Sequence, residues 1–263
     1  MNKTELLRRL AATAEERQLL SHALDLLQAA DARSVPTQTA FLSPAERGLL
    51  LELLDAVGGA KHVFFGGYPE AERVRCAFLP QWQEPEDVNP GELTAAVRAT
   101  WYAAHPLTHR DFLGALMGLG VKREAIGDIL VSPGSCDILL LPELAPFAAE
   151  NLTHAGREKL RVAPVELDCL HFPQPEVKVL HDTVPSLRLD AVAAAGFSAS
   201  RRAAAEAIAA GKVAVNWRTV TKTDCPVAEG DRLSWRGQGK CRLAAVGNLS
   251  RKGRFNVTLE RYL

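Results

Sequence analysis

The chain has 263 residues, of which 24% are charged and 47% hydrophobic, and its 31 Lys and Arg balance 31 Asp and Glu. It is long enough for two or three small domains. No run of 18 apolar residues occurs, which excludes a spanning helix, and Glu5, Arg8 and Arg9 stand where a signal peptide needs an apolar core, so a cytoplasmic protein without membrane insertion is expected.

Residues 4–30 carry leucines at helical spacing, and Thr13 with Glu16 reads as a capping box that divides the stretch into two helices. In FLSPAERGLLLELLDAVGG, Ser43 is an N-cap, Pro44 suits the first helical position, Glu46 completes a capping box, and Gly58-Gly59 stops the helix. The turn HVFFGGYPEAER follows, and Phe64, Phe65 and Tyr68 are expected to pack beneath it. Residues 1–70 therefore predict a helical N-terminal domain.

Residues 71–168 predict a mixed domain in the order β-β-α-β-β-α-β. The elements are RVRCAFLP, ELTAAVRATWY, a helix from Thr108 to about Met117, the hairpin IGDILV-SPGS-CDILLL, the helix PELAPFAAENL and the strand RVAPVEL. That order matches a split βαβ, ferredoxin-like or RRM-like sheet. CDILLL lacks the aromatics with which an RRM strand stacks bases, so the domain is expected to meet RNA by charge or shape, or to bind protein. Residues 169–182, including HFPQPEVK, read as a Pro-rich linker. Residues 183–263 give two short helices, at about 187–195 and 199–210, then KVAVN, a turn at Asn216-Trp217-Arg218, and further strands. The fold class is α+β.

HRDF at residues 109–112 has none of the other parts of a kinase. It reads instead as a helix start, with Thr108 as N-cap, Asp111 at N3, and Leu107 and Phe112 as a hydrophobic staple. Gly211-Lys212 and Gly239-Lys240 lack the rest of a phosphate-binding loop, and GxGxxG, GxSxG and HExxH do not occur. The five cysteines make no CxxC pair, and the C-x-H pair of Cys169 and His171 has no second pair to complete four ligands. Reduced thiols, no metal, no cofactor and no catalytic residue are expected.

The zero net charge conceals a segregation. Residues 183–263 hold 14 Lys and Arg against 6 Asp and Glu, a net of +8, and the other 182 residues hold 17 against 25, a net of −8. Such asymmetry points to an anionic partner for the basic part and leaves the acidic part for a protein partner. Arg201 and Arg202 open a helix, the end at which positive charge is unfavourable by about 0.3 to 1 kcal/mol. The same free N–H groups that make the end positive bind phosphate, and arginines add bidentate donors. Ile208, seven residues on from Arg201, faces inward, so Arg201 is placed at the rim of the core and Arg202 towards Glu206 and solvent. The candidate RNA-binding residues are Arg188, Arg201, Arg202, Lys212, Asn216, Arg218, Lys222, Arg236, Lys240, Arg251, Lys252 and Arg254.

The segment LRLDAVAAAGFSASRRAAAEAIAAGKVAVN, continued by EGDRLSWRGQGK, resembles the S-four-type RNA-binding domain. Many members have glycine where this chain has Trp217, which puts the shape of that turn in question. With FLSPAERGLL, FFGGYPEAER, LTHRDFLGALMGLGVKREAIGDILV and SRKGRF, residues 40–263 resemble the YlmH family of bacterial proteins. The resemblance implies association with the large ribosomal subunit and a role around stalled peptidyl-tRNA, in rescue or nascent-chain quality control. The partners it implies are ribosomal RNA, with tRNA as a second candidate. A family link to cell-division gene neighbourhoods leaves a division scaffold as one alternative. An RNA-modifying enzyme is the other, although Arg188-Leu189-Asp190 spells a pseudouridine synthase motif only inside a short helix.

Overall fold

The computed structural model describes residues 3–102, 105–172, 177–250 and 252–262. The chain divides into two compact units, residues 1–173 and 174–263.

The first unit begins with α1 (Lys3–Leu10) and α2 (Ala14–Arg33), followed by β1 (Thr37–Gln38), α3 (Pro44–Val57), β2 (His62–Phe65) and β3 (Arg75–Phe78). The local signals act as the sequence indicates. Thr13 and Glu16 form a reciprocal capping box, as do Ser43 and Glu46, and Gly58 ends α3 in the left-handed conformation. Leu6, Leu7, Leu20, Leu24, Leu50 and Leu53 form the core between the helices. The N-terminal region is not purely helical, because β1, β3 and β2 form an antiparallel sheet in that order. This corrects the assignment of RVRCAFLP to the middle sheet. Cys76 and Phe78 are fully buried in the helical core, and β3 pairs with β2 over four residue pairs. A boundary at residues 70/71 cuts through that pairing.

Next come α4 (Pro90–Leu93), β4 (Ala95–Thr100), α5 (His109–Gly118), β5 (Ile126–Ser132), β6 (Ser135–Leu140), α6 (Ala145–Asn151), the small hairpin β7 (His154–Ala155) and β8 (Glu158–Lys159), and β9 (Arg161–Val165). The sheet order is β5-β6-β4-β9 with antiparallel neighbours, the split βαβ, ferredoxin-like arrangement. HRDF is the first turn of α5. The Asp111 carboxylate accepts from the Thr108 N–H and hydroxyl at 2.7 Å, and Leu107 and Phe112 lie in one core.

The helices cover one face of this sheet, where Val97, Ala99, Phe112, Leu116, Ile138 and Leu140 are buried together. The other face is also covered. Ala96, Leu130 and Leu139 pack under Leu170, Leu167 and Tyr68. Arg98 donates twice to Asp137, at 2.6 and 2.7 Å, and once to the carbonyl of Cys169. The His171 N–H donates to Asp137 as well. Residues 167–172 thus form a strap across the face. The Gly66-Gly67 turn closes down beside it: Gly67 has φ +101°, and a Cβ there would lie 1.9 Å from Leu139 Cδ2. Only glycine fits that approach.

The second unit contains β10 (Val177–Val184), α7 (Leu189–Gly196), α8 (Arg201–Ala209), β11 (Val213–Val215), β12 (Arg218–Thr219), β13 (Arg232–Trp235), β14 (Gly239–Leu249) and β15 (Phe255–Tyr262). They form one antiparallel sheet in the order β10-β15-β14-β13-β11-β12, with both helices packed on it. Of the expected linker at residues 169–182, residues 169–172 and 177–182 are described. Its first residues belong to the strap, and from Val177 onward the chain is strand, paired residue by residue with β15. β10 is a largely exposed edge strand in which Val177 and Val179 face solvent and only Val184 is buried, so no core-facing stripe announces it.

Candidate nucleic-acid interface

The α8 terminus is built by Ser200, whose hydroxyl accepts from the Ala203 N–H at 3.1 Å. Ala204, Ala207 and Ile208 point into the core, which fixes the direction of the two arginines. Arg202 reaches out to Glu206 at 2.8 Å, and the pair is widely exposed. Arg201 turns the other way and meets Asp190 in the first turn of α7, through Nε and Nη2 at 3.0 Å. Arg188 donates to the same carboxylate at 3.2 and 3.3 Å. Asp190 is only 5% exposed, whereas the side chains of Arg188 and Arg201 are 42% and 50% exposed. One buried carboxylate therefore holds two solvent-facing guanidiniums, and the cluster carries a net charge of +1. Asp190 also offsets the unfavourable charge at the α8 terminus, and it leaves the outer N–H groups of both arginines facing water.

A second group lies at the far end of α8. Gly211 ends the helix with φ +66°, and Lys212 starts the return towards the sheet. The Lys212 carbonyl accepts from the Arg236 N–H at 2.9 Å. Both side chains line a shallow groove of about 530 Å³ with Ala203, Glu206, Trp235 and Gln238. Trp235 is set by an edge-on contact with Phe197. Arg261 fixes the groove wall, donating to the carbonyls of Phe197 and Gln238. Glu206 belongs to the groove and to Arg202, which joins the two ends of the helix into one surface.

The other candidates separate by what they touch. Asn216 donates to Asp231 at 2.8 Å and accepts from the Arg232 N–H at 3.0 Å, so its amide ties the β11–β12 turn to the start of β13. That turn keeps two residues, Asn216 and Trp217, with φ of +48° and +68°. Trp217 thus adopts a left-handed backbone that favours glycine, with the Arg232 guanidinium 6.0 Å from its ring centre. Arg218, Lys222, Lys240 and Lys252 are exposed. Arg254 donates to the hydroxyl and carbonyl of Thr183 and ties β10 to the β14–β15 loop. Arg251 lies outside the described residues. Lys240 and Lys252 lie at or beyond opposite ends of the 11-residue β14, roughly 35 Å long at the usual strand rise. The basic residues are therefore not one patch.

Sequence reasoning missed Asp190 as the organiser of this surface. Its signal was an acidic residue in the first turn of a helix, which alone reads as ordinary dipole compensation. The thiols lie apart from this chemistry. Burial pushes Cys241 up to about 11 and raises Cys76 and Cys136 further, so they stay protonated at neutral pH. Among the described residues no cluster of three or more His, Cys, Asp or Glu could hold a metal, and no helix is long and apolar enough to cross a membrane.

Three family models match the chain: "YlmH, N-terminal" over residues 15–81, "Putative RNA-binding domain in YlmH" over 102–168, and "S4 domain" over 187–233. The chain is 36% identical over 252 residues to the ribosome-associated protein quality control protein P2 of Bacillus subtilis (strain 168), covering 94% of this chain and 95% of that one. The solved structure of the cell division protein ylmH from Streptococcus pneumoniae is similar at a TM-score of 0.50 and 22% identity, over 60% of this chain and 95% of that one.

Proposed function

The chain belongs to the YlmH family, and from that premise we propose that it is a non-enzymatic RNA-binding protein of the cytoplasm that works on the large ribosomal subunit. Its ligands are ribosomal RNA, peptidyl-tRNA or both, and its task is stalled-ribosome rescue or nascent-chain quality control. The name of the Bacillus subtilis relative supports the ribosomal setting. The observation that carries the RNA reading is the charged surface of α7 and α8. Arg188 and Arg201 converge on Asp190, and Arg202, Lys212 and Arg236 are linked through Glu206 and the groove. This surface lies within or just beyond the matched S4 residues, in the part of the chain with a net charge of +8.

The surface suits a polyanion. Guanidiniums preset by a buried carboxylate lose less freedom when they meet phosphate, and their remaining N–H groups are aligned for bidentate contacts. Contacts of this kind position the protein on RNA and make its binding salt-dependent. The helical N-terminal part of the acidic first unit is left for a protein partner.

Sedimentation of cell extract through a sucrose gradient tests the reading. The protein is expected with large subunits, and Arg201→Ala/Lys212→Ala/Arg236→Ala is expected to move it to the top of the gradient. Wild-type protein at the top, or with the membrane fraction, overturns the ribosomal assignment.

A further inference from the structure

We propose a second RNA-binding site, on the ferredoxin-like domain, formed by Tyr102, Arg157, Lys159 and Arg161 at one end of the sheet and taking single-stranded RNA. The proposal rests on the reading that the protein binds RNA, and it places a contact where neither the S4-matched residues nor the sheet face provides one.

A four-stranded sheet of this topology can stack bases on its open face. Here that face is closed by the strap and the Gly66-Gly67 turn, with Leu139 fully buried and Leu170 7% exposed. Bases must therefore be met elsewhere. Tyr102 is 88% exposed, more than any other large hydrophobic side chain among the described residues. Its direction follows from its neighbour. Trp101 packs on Phe112 with ring centres 5.5 Å apart and donates to the His105 carbonyl, which turns Tyr102 outward.

The cations are set by the same alternation. Leu160 is buried in the core, so Lys159 and Arg161 on either side of it point to solvent. Arg161 pairs with Thr100, which places it on the face from which Tyr102 continues two residues later. Arg157 stands in the turn of the β7–β8 hairpin, next to Gly156 at φ +55°.

Local acids are already engaged. Glu158, the one acid in residues 154–161, is held by His105 at 2.8 Å, a contact that also ties His105 to the hairpin. Asp111, under Gly156, caps α5. Among the described residues no carboxylate pairs with Arg157, Lys159 or Arg161. An exposed aromatic ring beside three free cations is the arrangement that binds single strands without sequence preference, by stacking and phosphate neutralisation.

The test uses the full chain and a labelled 12-nucleotide oligouridine, titrated at several salt concentrations. Tyr102→Ala is expected to weaken binding roughly 5- to 150-fold with an unchanged salt slope, and Tyr102→Phe to bind like wild type. Arg157→Ala/Lys159→Ala/Arg161→Ala is expected to lower the log–log salt slope by about 2. Each is measured alone and together with Arg201→Ala/Lys212→Ala/Arg236→Ala, with melting temperature recorded on the same samples. Unchanged affinity and slope in the Tyr102 and triple variants overturn the site. So does a loss in Tyr102→Ala that comes with a lower melting temperature and is not restored by Tyr102→Phe. If only the second-unit variant weakens binding, the proposal falls and the functional reading stands. If only the Tyr102 and hairpin variants do, the proposal stands and the second unit is not the RNA contact.

Discussion

Arg201, in the first turn of α8, donates to Asp190, in the first turn of α7, at 3.0 Å. The contact places a carboxylate against a helix end that is otherwise doubly cationic, and Arg188 shares it. Asp190→Ala is expected to leave two guanidiniums facing each other without a counter-charge. With both arginines half exposed, water absorbs part of the loss, and a destabilisation of about 1 to 2 kcal/mol is expected. Thermal denaturation measures it. An unchanged melting temperature would mean that the carboxylate holds nothing in place.

The two arginines of α8 are expected to behave differently. Arg202 makes an exposed i,i+4 pair, so Arg202→Ala should change stability by less than about 0.5 kcal/mol. Arg201→Ala removes one of the two partners of a buried carboxylate and should cost more, about 1 kcal/mol. Both should weaken RNA binding and together lower the log–log salt slope by roughly 1.4 to 1.8. Filter binding at four salt concentrations, beside melting curves, separates the two effects. Unchanged binding with lowered stability would make both residues purely structural.

Gly67→Ala should be among the most damaging single changes in the first unit. A Cβ there meets the Leu139 side chain and also forces a left-handed φ. A loss of roughly 2 kcal/mol or more is expected, seen as an earlier denaturant transition of the first unit. A wild-type midpoint would contradict the close packing of the turn on the sheet.

Trp217 tests the β11–β12 turn. Trp217→Gly and Trp217→Ala both lose the contact with Arg232, but only glycine relieves the φ of +68°. The glycine variant is expected to be more stable than the alanine variant by about 1 kcal/mol, measured by thermal denaturation. Equal stabilities would mean that the turn relaxes away from that geometry.

What the sequence determined by itself was local. The caps Thr13–Glu16, Ser43–Glu46 and Thr108–Asp111 each close within three residues, so a string of four letters contains both partners. The helices of the second unit, the outward direction of Arg202 and the inward one of Ile208 follow from 3.6-residue periodicity. Charge segregation needs only counting. Tertiary structure decided the rest. β3 has the same strand-like letters whether it joins the middle sheet or the helical core, and the burial of Cys76 and Phe78 against helices tens of residues away selects the latter. β10 is an exposed edge whose order comes from its ladder with β15, nearly 80 residues on. The strap over the ferredoxin-like sheet depends on Asp137 receiving Arg98 and the His171 N–H from separate segments. Asp190 became the organiser of the basic surface only when α8 folded back onto α7. Such contacts are chosen by burial and register across the whole chain, and a local stretch of sequence contains only one of the two partners.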